Sequence, residues 1–219
     1  MEPRAGAVAT TVHGRYLVAA PRGRGPWPVL LGFHGYGENA EAQLDRLRAI
    51  PGASRWLLVS VQALHPFYSR RLDQVVASWM TRLDRERAIA DNLAYIGRVA
   101  AAVKREFATA PPLVYAGFSQ GAAMAYRAAA LGRPRALGLI TLGDELPPEL
   151  AAAARLRLPP TLVGRGSDDA FYRERAFEAD LGRLEKHGID VTAARYTGGH
   201  EWNAEFAAAT GRFLRRLRP

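Results

Sequence analysis

The sequence predicts an α/β protein with a mainly parallel central sheet of about eight strands and helices on both faces. Short apolar runs of strand length alternate along the chain with longer segments of helical periodicity. This alternation is typical of units in which each helix carries the chain back to begin the next parallel strand. With 219 residues and 48% hydrophobic residues, the chain can enclose such a sheet in a core. No linker or internal repeat interrupts it, so we expect a single domain over residues 1–219.

The predicted strands are apolar runs bounded by turn-forming or charged residues. The first two, 9–12 and 16–20, are separated by His13-Gly14 and predict an antiparallel hairpin at one edge of the sheet. Six core strands follow in chain order, at 29–33, 56–61, 113–116, 136–142, 161–164 and 191–196.

The predicted helices lie between these runs. Apolar residues recur at helical spacing over 84–107, and a shorter helix is expected at 40–49. The alanine-rich stretch 122–131 ends at Gly132, and two late helices carry the stripes 177–184 and 202–217. We interpret these stripes as core faces. The segment 143–159 is short, which predicts that no lid domain covers the carboxyl ends of the strands.

Composition excludes several functional classes. The chain has no cysteine, so disulfides, cysteine nucleophiles and thiolate metal sites are excluded. The net charge of +9 comes from dispersed arginines, which is not the pattern of a nucleic-acid-binding stripe. Residues 1–20 lack the charged and apolar regions of a signal peptide, which favours a cytoplasmic location. The uncharged stretch 107–126 contains Pro111 and Pro112 and is expected to be a buried strand and helix, with no membrane span.

Ser119 is the strongest candidate for a catalytic residue. It is the centre of Gly117-Phe118-Ser119-Gln120-Gly121, which lies between an apolar strand and an alanine-rich helix. A glycine on each side lets the chain turn sharply enough to expose the serine at the tip of the turn. Such a serine requires a base and an acid that orients the base.

Both partners are expected downstream of Ser119, on loops after strands. His200 follows the last predicted strand and Gly198-Gly199, whereas His187 lies where a helix is expected to end. We therefore predict His200 as the base. Asp169 is the preferred acid over its neighbour Asp168, and Asp144 is a third choice.

Acyl transfer also needs donors for the oxyanion of the tetrahedral intermediate. The residue after the nucleophile, Gln120, provides one backbone N–H. The loop after the first core strand, His34-Gly35-Tyr36-Gly37, is expected to provide the second through Tyr36. His34 is expected to form hydrogen bonds within that loop and not to act as a second base.

Taken together, these motifs resemble the phospholipase/carboxylesterase branch of the α/β-hydrolase superfamily, which includes acyl-protein thioesterases and bacterial predicted esterases. The resemblance spans nearly the whole chain and rests on five segments in the order of that family: His34-Gly35-Tyr36-Gly37, Ser78-Trp79, Gly117-Phe118-Ser119-Gln120-Gly121, Gly166-Ser167-Asp168-Asp169 and Gly199-His200. It implies an α/β-hydrolase fold and a serine hydrolase with the triad Ser119, Asp169 and His200 and an oxyanion hole at Tyr36 and Gln120. The chain departs from the family at Ala170-Phe171-Tyr172, where thioesterases have a Val-Pro-like segment.

The expected substrate is a small ester or thioester, and the mechanism needs no metal or organic cofactor. The resemblance places Trp79 at the acyl or alcohol site, although a tryptophan is also common as packed core. Phe67 and Tyr68, in a predicted loop, are expected either to add an apolar wall or to pack ordinarily. The same triad could also serve dienelactone-type or peptide hydrolysis or acyl transfer, so these reactions are open alternatives. A non-catalytic binding protein with this fold is a further alternative, because fold alone does not determine function. The sequence leaves open whether the protein is a monomer or a homodimer.

Overall fold

The computed structural model describes residues 3–217, so the ends of the predicted domain, residues 1–2 and 218–219, lie outside the described part. Within that part the chain forms nine strands: β1 (Tyr16–Ala19), β2 (Trp27–Phe33), β3 (Leu57–Val61), β4 (His65–Ser69), β5 (Gln74–Ser78), β6 (Thr109–Phe118), β7 (Gly138–Leu142), β8 (Thr161–Gly166) and β9 (Val191–Tyr196). The helices are α1 (Ala40–Arg48), α2 (Arg85–Glu106), α3 (Gln120–Leu131), α4 (Pro148–Ala151), α5 (Glu174–Lys186) and α6 (Ala204–Arg216).

Seven of the strands form the central sheet, in the order β1-β3-β2-β6-β7-β8-β9. All neighbours are parallel except β1, which pairs antiparallel with β3. The carboxyl ends of β2, β6, β7 and β8 therefore meet at one edge of the sheet. The prediction of a mainly parallel sheet is confirmed.

The predicted N-terminal hairpin is wrong. Residues 9–12 form no strand and are exposed, whereas β1 pairs with β3, with Tyr16 opposite Val61 and Ala19 opposite Leu58. The physical reason is that all five residues of β3 are buried, so β1 gains apolar contacts there that the exposed segment 9–12 does not offer.

Helices cover both faces of the sheet, as predicted. Alternate residues of β2 point to opposite faces, so Leu30 packs with α1 and α6 residues such as Leu47 and Phe206. Leu31 points to the other face and belongs to a second cluster that includes residues of α2, α3 and α5, such as Ile96 and Phe177. Within residues 3–217, no helix is both long enough and apolar enough to cross a membrane.

The segment that the sequence presents as a loop with Phe67 and Tyr68 is a β-hairpin. Strands β4 and β5 pair antiparallel outside the central sheet, with Phe67 opposite Val76. The hairpin is also bonded to the loop after β2, because Gly37 N donates to Ala77 O at 3.0 Å and Ala77 N donates to Glu38 O at 2.7 Å. The hairpin therefore holds one side of the carboxyl edge of the sheet.

The connection from β7 to β8 leaves that edge open. Residues 143–160 contain the four-residue helix α4 as their single helix, and Leu146, Leu150 and Leu156 are buried against the body of the protein. This compact path agrees with the prediction that no lid domain is inserted here.

Candidate active site

Ser119 occupies a strained turn between β6 and α3. Its φ of 51° and ψ of −129° lie outside the regions that residues with a side chain normally adopt. A Cβ atom on Gly117 would lie 2.2 Å from Gly121 O, and one on Gly121 would lie 2.2 Å from Phe33 O. Ser119 N donates to Leu142 O at 2.8 Å. Close packing against two neighbouring strands thus holds the serine at the tip of the turn.

His200 and Asp169 meet at the same edge of the sheet. Asp169 follows β8 and His200 follows β9, and Asp169 Oδ2 lies 2.9 Å from His200 Nδ1. The other carboxylate oxygen, Oδ1, accepts hydrogen bonds from Phe171 N and Tyr172 N, both at 2.9 Å. Because an ionised carboxylate only accepts hydrogen bonds, Nδ1 carries the proton, and a neutral His200 has a free lone pair on Nε2.

Two aromatic rings hold the His200 imidazole. The ring of Phe118 lies on one side, with centroids 5.0 Å apart, and the ring of Phe171 is 4.9 Å away. Within residues 3–217, no hydrogen bond joins Ser119 Oγ to His200 Nε2. In sites without substrate this contact is often long and shortens when substrate binds.

The other candidate acids and bases lie in different surroundings. Asp168 is exposed and accepts a hydrogen bond from Ser167 Oγ at 3.0 Å. His187 caps the end of α5 and accepts from Leu156 N. Asp144 follows β7 and is partly buried, and burial raises its pKa to about 6. In the described chain none of these three residues forms a hydrogen bond with His200, whereas Asp169 does.

The loop after β2 leaves one backbone donor unused. Gly35 N donates to Glu38 Oε2, Gly37 N donates to Ala77 O and Glu38 N donates to Gly35 O. Within the described residues Tyr36 N has no acceptor, and Gln120 N, at the first position of α3, has none either. Two free backbone N–H groups therefore belong to the loops predicted to form the oxyanion hole.

An ion pair fixes the shape of this loop. Arg46 Nη1 donates to Glu38 Oε2 at 2.6 Å, and the same guanidinium lies 4.4 Å from the centre of the Phe118 ring. Burial alone would raise the pKa of Glu38, but the hydrogen bond and charge of Arg46 outweigh it and lower that pKa. Glu38 is therefore ionised at neutral pH and holds Gly35 in place.

His34 is a structural residue, as the sequence suggested. It is fully buried, which lowers its pKa. Its Nδ1 lies 2.7 Å from Gly35 O, and its Nε2 accepts from Ala63 N at 3.0 Å. These two contacts require a neutral ring with the proton on Nδ1.

Trp79 is packed core and does not reach an open surface. It is fully buried against Phe33 and His34, and its Nε1 donates to His34 O at 2.8 Å. Of the two alternatives that the sequence left open for Trp79, this placement is the packed one. Phe67 is 38% exposed and stacks on Tyr36, with ring centroids 5.7 Å apart, whereas Tyr68 is 80% exposed. The hairpin thus places the ring of Phe67 against Tyr36 of the loop that follows β2.

The sequence did not reveal a second function of Gln120. Its side-chain Oε1 accepts from Trp79 N at 2.9 Å, and its Nε2 donates to Met80 O at 2.8 Å. Gln120 therefore joins the turn at Ser119 to the segment that follows β5. No local pattern predicts this contact, because the two segments are about forty residues apart in the chain.

One further residue beside His200 was also missed, and a second lies in a segment that the sequence had marked as unusual. Gly143, which directly follows β7, has a φ of 78°, and a Cβ there would lie 2.8 Å from His200 Cε1. Phe171, 79% exposed, forms the outer wall of the same ring. It belongs to Ala170-Phe171-Tyr172, the segment after the predicted acid at which the sequence departs from the family that it resembles. Among residues 3–217, no group of three or more His, Asp or Glu side chains is arranged to hold a metal ion.

Solved structures with the same fold include several esterases. A carboxylesterase from Bacillus cereus matches with a TM-score of 0.73 and 16% identity, covering 94% of this chain and 95% of that one. Esterase PE8 matches with a TM-score of 0.70 and 23% identity over 94% and 98%. Acyl-protein thioesterase 2 from Zea mays matches with a TM-score of 0.70 and 19% identity over 94% and 99%. The chain therefore has the α/β-hydrolase fold, as the motifs predicted.

These similarities are structural. No protein-family model matches the sequence, and no curated protein matches it in a sequence search. At these identities the shared fold alone does not determine the reaction, which has to be argued from the site.

Proposed function

We propose that this protein is a serine hydrolase that cleaves carboxylic esters, including thioesters, through an acyl-enzyme on Ser119. The observation that carries the proposal is the strained Ser119 turn beside a histidine whose Nδ1 is bound by a buried carboxylate. Strained non-glycine backbone is often found where a reactive side chain must be exposed. A histidine oriented in this way has its Nε2 free to accept a proton from a hydroxyl.

In the first half of the reaction, His200 Nε2 takes the Ser119 hydroxyl proton as Oγ attacks the carbonyl carbon. Asp169 stabilises the resulting imidazolium, and the backbone N–H groups of Tyr36 and Gln120 donate to the oxyanion. The imidazolium then gives its proton to the departing alkoxide or thiolate, which leaves the acyl group on Ser119. Water repeats these steps in the second half and releases the carboxylic acid. No metal or organic cofactor takes part.

The open edge of the sheet favours small esters over long lipid chains. No lid domain is inserted between β7 and β8, and the exposed aromatic side chains of Phe171 and Tyr36 give limited apolar surface beside the serine. Trp79 is buried and offers no wall to a substrate. We therefore assign short acyl esters as the substrate class.

Labelling by a fluorophosphonate tests the proposal. We expect the purified protein to be labelled at Ser119 and to hydrolyse p-nitrophenyl acetate and butyrate. Ser119→Ala should lose both the labelling and the hydrolysis, whereas Ser54→Ala, an exposed serine outside the site, should keep both. A folded protein that is neither labelled nor active would refute the proposal and would favour a binding protein.

A further inference from the structure

The two ends of the parallel strands differ in charge. The four segments that lead from the preceding helix or strand into β2, β6, β7 and β8 contain no carboxylate and six arginines: Arg22, Arg24, Arg133, Arg135, Arg155 and Arg157. The four segments that lead from these strands to the next helix contain one arginine and five carboxylates: Glu38, Asp144, Glu145, Asp168 and Asp169. Because the four strands are parallel neighbours, arginines that are dispersed along the sequence meet at the amino edge of the sheet, opposite Ser119.

Two connected cavities place part of this charge on one surface. Arg133, Arg135 and Arg157 line a cavity of about 400 Å³, and its other lining residues are alanine, leucine, glycine and proline. A second cavity, of about 320 Å³, shares Arg135 and Leu137 with the first and adds Lys104. Among the described residues no aspartate or glutamate lines either cavity. We call the four cations and the leucines between them the basic surface.

The cations of the basic surface have no counter-ions within the protein. Lys104, Arg133, Arg135 and Arg157 are exposed, and in the chain from 3 to 217 none of them forms an ion pair with a carboxylate. Arg195, by contrast, pairs with two glutamates. Cations that line one cavity without counter-ions repel one another, so an anionic partner would relieve this repulsion.

The basic surface also exposes apolar side chains between its cations. Leu131 is 58% exposed and Leu137 is 53% exposed, and both line the first cavity. Leu131 is the last residue of α3, and Leu137 N donates to Leu113 O at 2.8 Å, so the backbone of both residues is held by regular structure. Cations that surround exposed leucines suit the boundary between the phosphates and the acyl chains of an anionic bilayer.

Two other anionic partners fit this surface less well. No aromatic side chain among the described residues lines either cavity, so the bases of a nucleic acid would find no ring to stack on. An extended acidic peptide would bind by adding a strand beside β1 or β9, the outer strands of the sheet, whereas the basic surface lies at the ends of inner strands. The combination of charge and exposed leucines therefore favours a lipid surface.

We propose that the basic surface docks the protein on membranes that contain anionic phospholipids. The docked protein lies with the amino edge of its sheet toward the lipid, so the carboxyl edge that carries Ser119 faces the water. This docking does not depend on the proposed hydrolase reaction, because the basic surface includes none of the residues that take part in it.

Sedimentation with lipid vesicles tests the proposal on the full chain. We expect the protein to bind vesicles of phosphatidylcholine that contain about 30% phosphatidylglycerol and not vesicles of phosphatidylcholine alone. The affinity should fall about 10-fold or more when NaCl is raised from about 50 mM to about 300 mM, because salt screens the attraction.

Two arginine variants of equal net charge separate the surface from the total charge. A protein with Arg133→Gln, Arg135→Gln and Arg157→Gln should bind about 100-fold more weakly, since each cation near an anionic membrane contributes roughly 5-fold in affinity. A protein with Arg70→Gln, Arg71→Gln and Arg82→Gln loses three exposed arginines elsewhere and should bind within about 3-fold of the unsubstituted protein. Circular dichroism checks that both variants fold.

A leucine pair tests the contact with the bilayer itself. Leu131→Ser with Leu137→Ser keeps every charge and should weaken vesicle binding about 5-fold or more. The matched control is Leu72→Ser with Leu83→Ser, since these leucines are 46% and 80% exposed outside the basic surface, and it should leave binding unchanged. If the triple arginine variant does not fold, this leucine pair decides.

Several results would overturn the proposal. Equal binding to both kinds of vesicle, equal losses in the two triple arginine variants, or no loss in Leu131→Ser with Leu137→Ser would each do so. A duplex DNA oligonucleotide and polyglutamate are measured in parallel. If either binds through Arg133, Arg135 and Arg157 while the anionic vesicles do not, the basic surface has a partner other than lipid and the proposal fails.

Discussion

The ends of β7 and β8 place one carboxylate each near the same histidine, and the two carboxylates are bonded very differently. Asp169, after β8, is 3% exposed and accepts three hydrogen bonds, from two backbone N–H groups and from His200. Asp144, after β7, is partly buried and accepts one, from Glu145 N. The two strands are adjacent in the sheet, so the difference arises from the loops that follow them.

This difference separates two kinds of function. A carboxylate whose oxygens are all bonded has one position and one charge state, which suits a group that must orient a histidine. A carboxylate with a free oxygen can still gain a hydrogen bond, which suits a group that recognises a ligand. Asp180 connects the two loops, since its Oδ2 accepts from Leu146 N at 2.8 Å and from Tyr172 Oη at 3.0 Å. A third, buried carboxylate therefore links the loops that follow β7 and β8.

The largest effect is expected from Asp169→Asn. An asparagine that keeps its carbonyl oxygen toward Phe171 N and Tyr172 N must turn its amide N–H₂ toward His200 Nδ1. This forces the imidazole proton onto Nε2, which can then no longer accept the Ser119 proton. We expect kcat for p-nitrophenyl butyrate to fall by about 10²–10⁴-fold, with the fold preserved by circular dichroism.

Asp168→Asn is the matched control for that change, because Asp168 is adjacent in the sequence but exposed and bonded to Ser167. Its kcat should stay within about 2-fold of the unsubstituted protein, as for most surface changes. The opposite ranking of the two variants would move the acid to Asp168, and equal effects would remove the distinction between Asp169 and its exposed neighbour.

An intermediate effect is expected from Gly143→Ala, which perturbs the β7 side of the same histidine. The φ of 78° is unfavourable for alanine, and the added Cβ would lie 2.8 Å from His200 Cε1. We expect a loss of about 2 kcal/mol in the free energy of unfolding and about a 10-fold fall in kcat, since the imidazole must move.

The control is Gly182→Ala on α5, where an added Cβ meets nothing within 4 Å. That change should leave kcat unaltered and stabilise the helix by up to about 1 kcal/mol. Urea unfolding and steady-state kinetics measure both quantities. A Gly143→Ala variant with unchanged kcat would show that the end of β7 does not constrain His200.

The sequence predicted the central sheet well because its strands are buried apolar runs between turn signals. The strand expected at 191–196 is observed as Val191–Tyr196, and the long helix expected at 84–107 is observed as Arg85–Glu106. The hairpin of β4 and β5 was missed because its exposed residues lack the buried run that marks a core strand. Its pairing depends on contacts with the loop after β2, which is distant in the sequence.

The candidate site was likewise predictable in part. Ser119, Asp169 and His200 could be predicted because each follows a strand in a recognisable turn, and parallel strands end at one edge of a sheet. The contacts of Gln120 and Gly143 could not, because each joins segments that the fold brings together from distant positions. Asp144 was considered only as an alternative acid, since a free carboxylate oxygen cannot be seen in a sequence.

The smallest effect is expected from Asp144→Asn, and it depends on pH. Burial raises the pKa of Asp144 to about 6 in the folded protein, above the ordinary value of 3.8. The folded state therefore holds this proton more tightly, and ionisation of Asp144 lowers the stability as the pH rises from about 4 to 6. Asparagine does not ionise, so its advantage over aspartate should grow by about 1–2 kcal/mol between pH 4 and pH 8.

Urea unfolding of both proteins across this pH range measures the effect, with Asp168→Asn as the exposed control. Asp169 provides the contrast, because its carboxylate is stabilised by three donors and gains nothing from a neutral substitute. A constant stability difference between Asp144→Asn and the unsubstituted protein would mean that Asp144 Oδ2 is as well solvated as a surface carboxylate. In that case burial would not distinguish Asp144 from a surface carboxylate, and the two strand ends would differ only in the number of hydrogen bonds that their carboxylates accept.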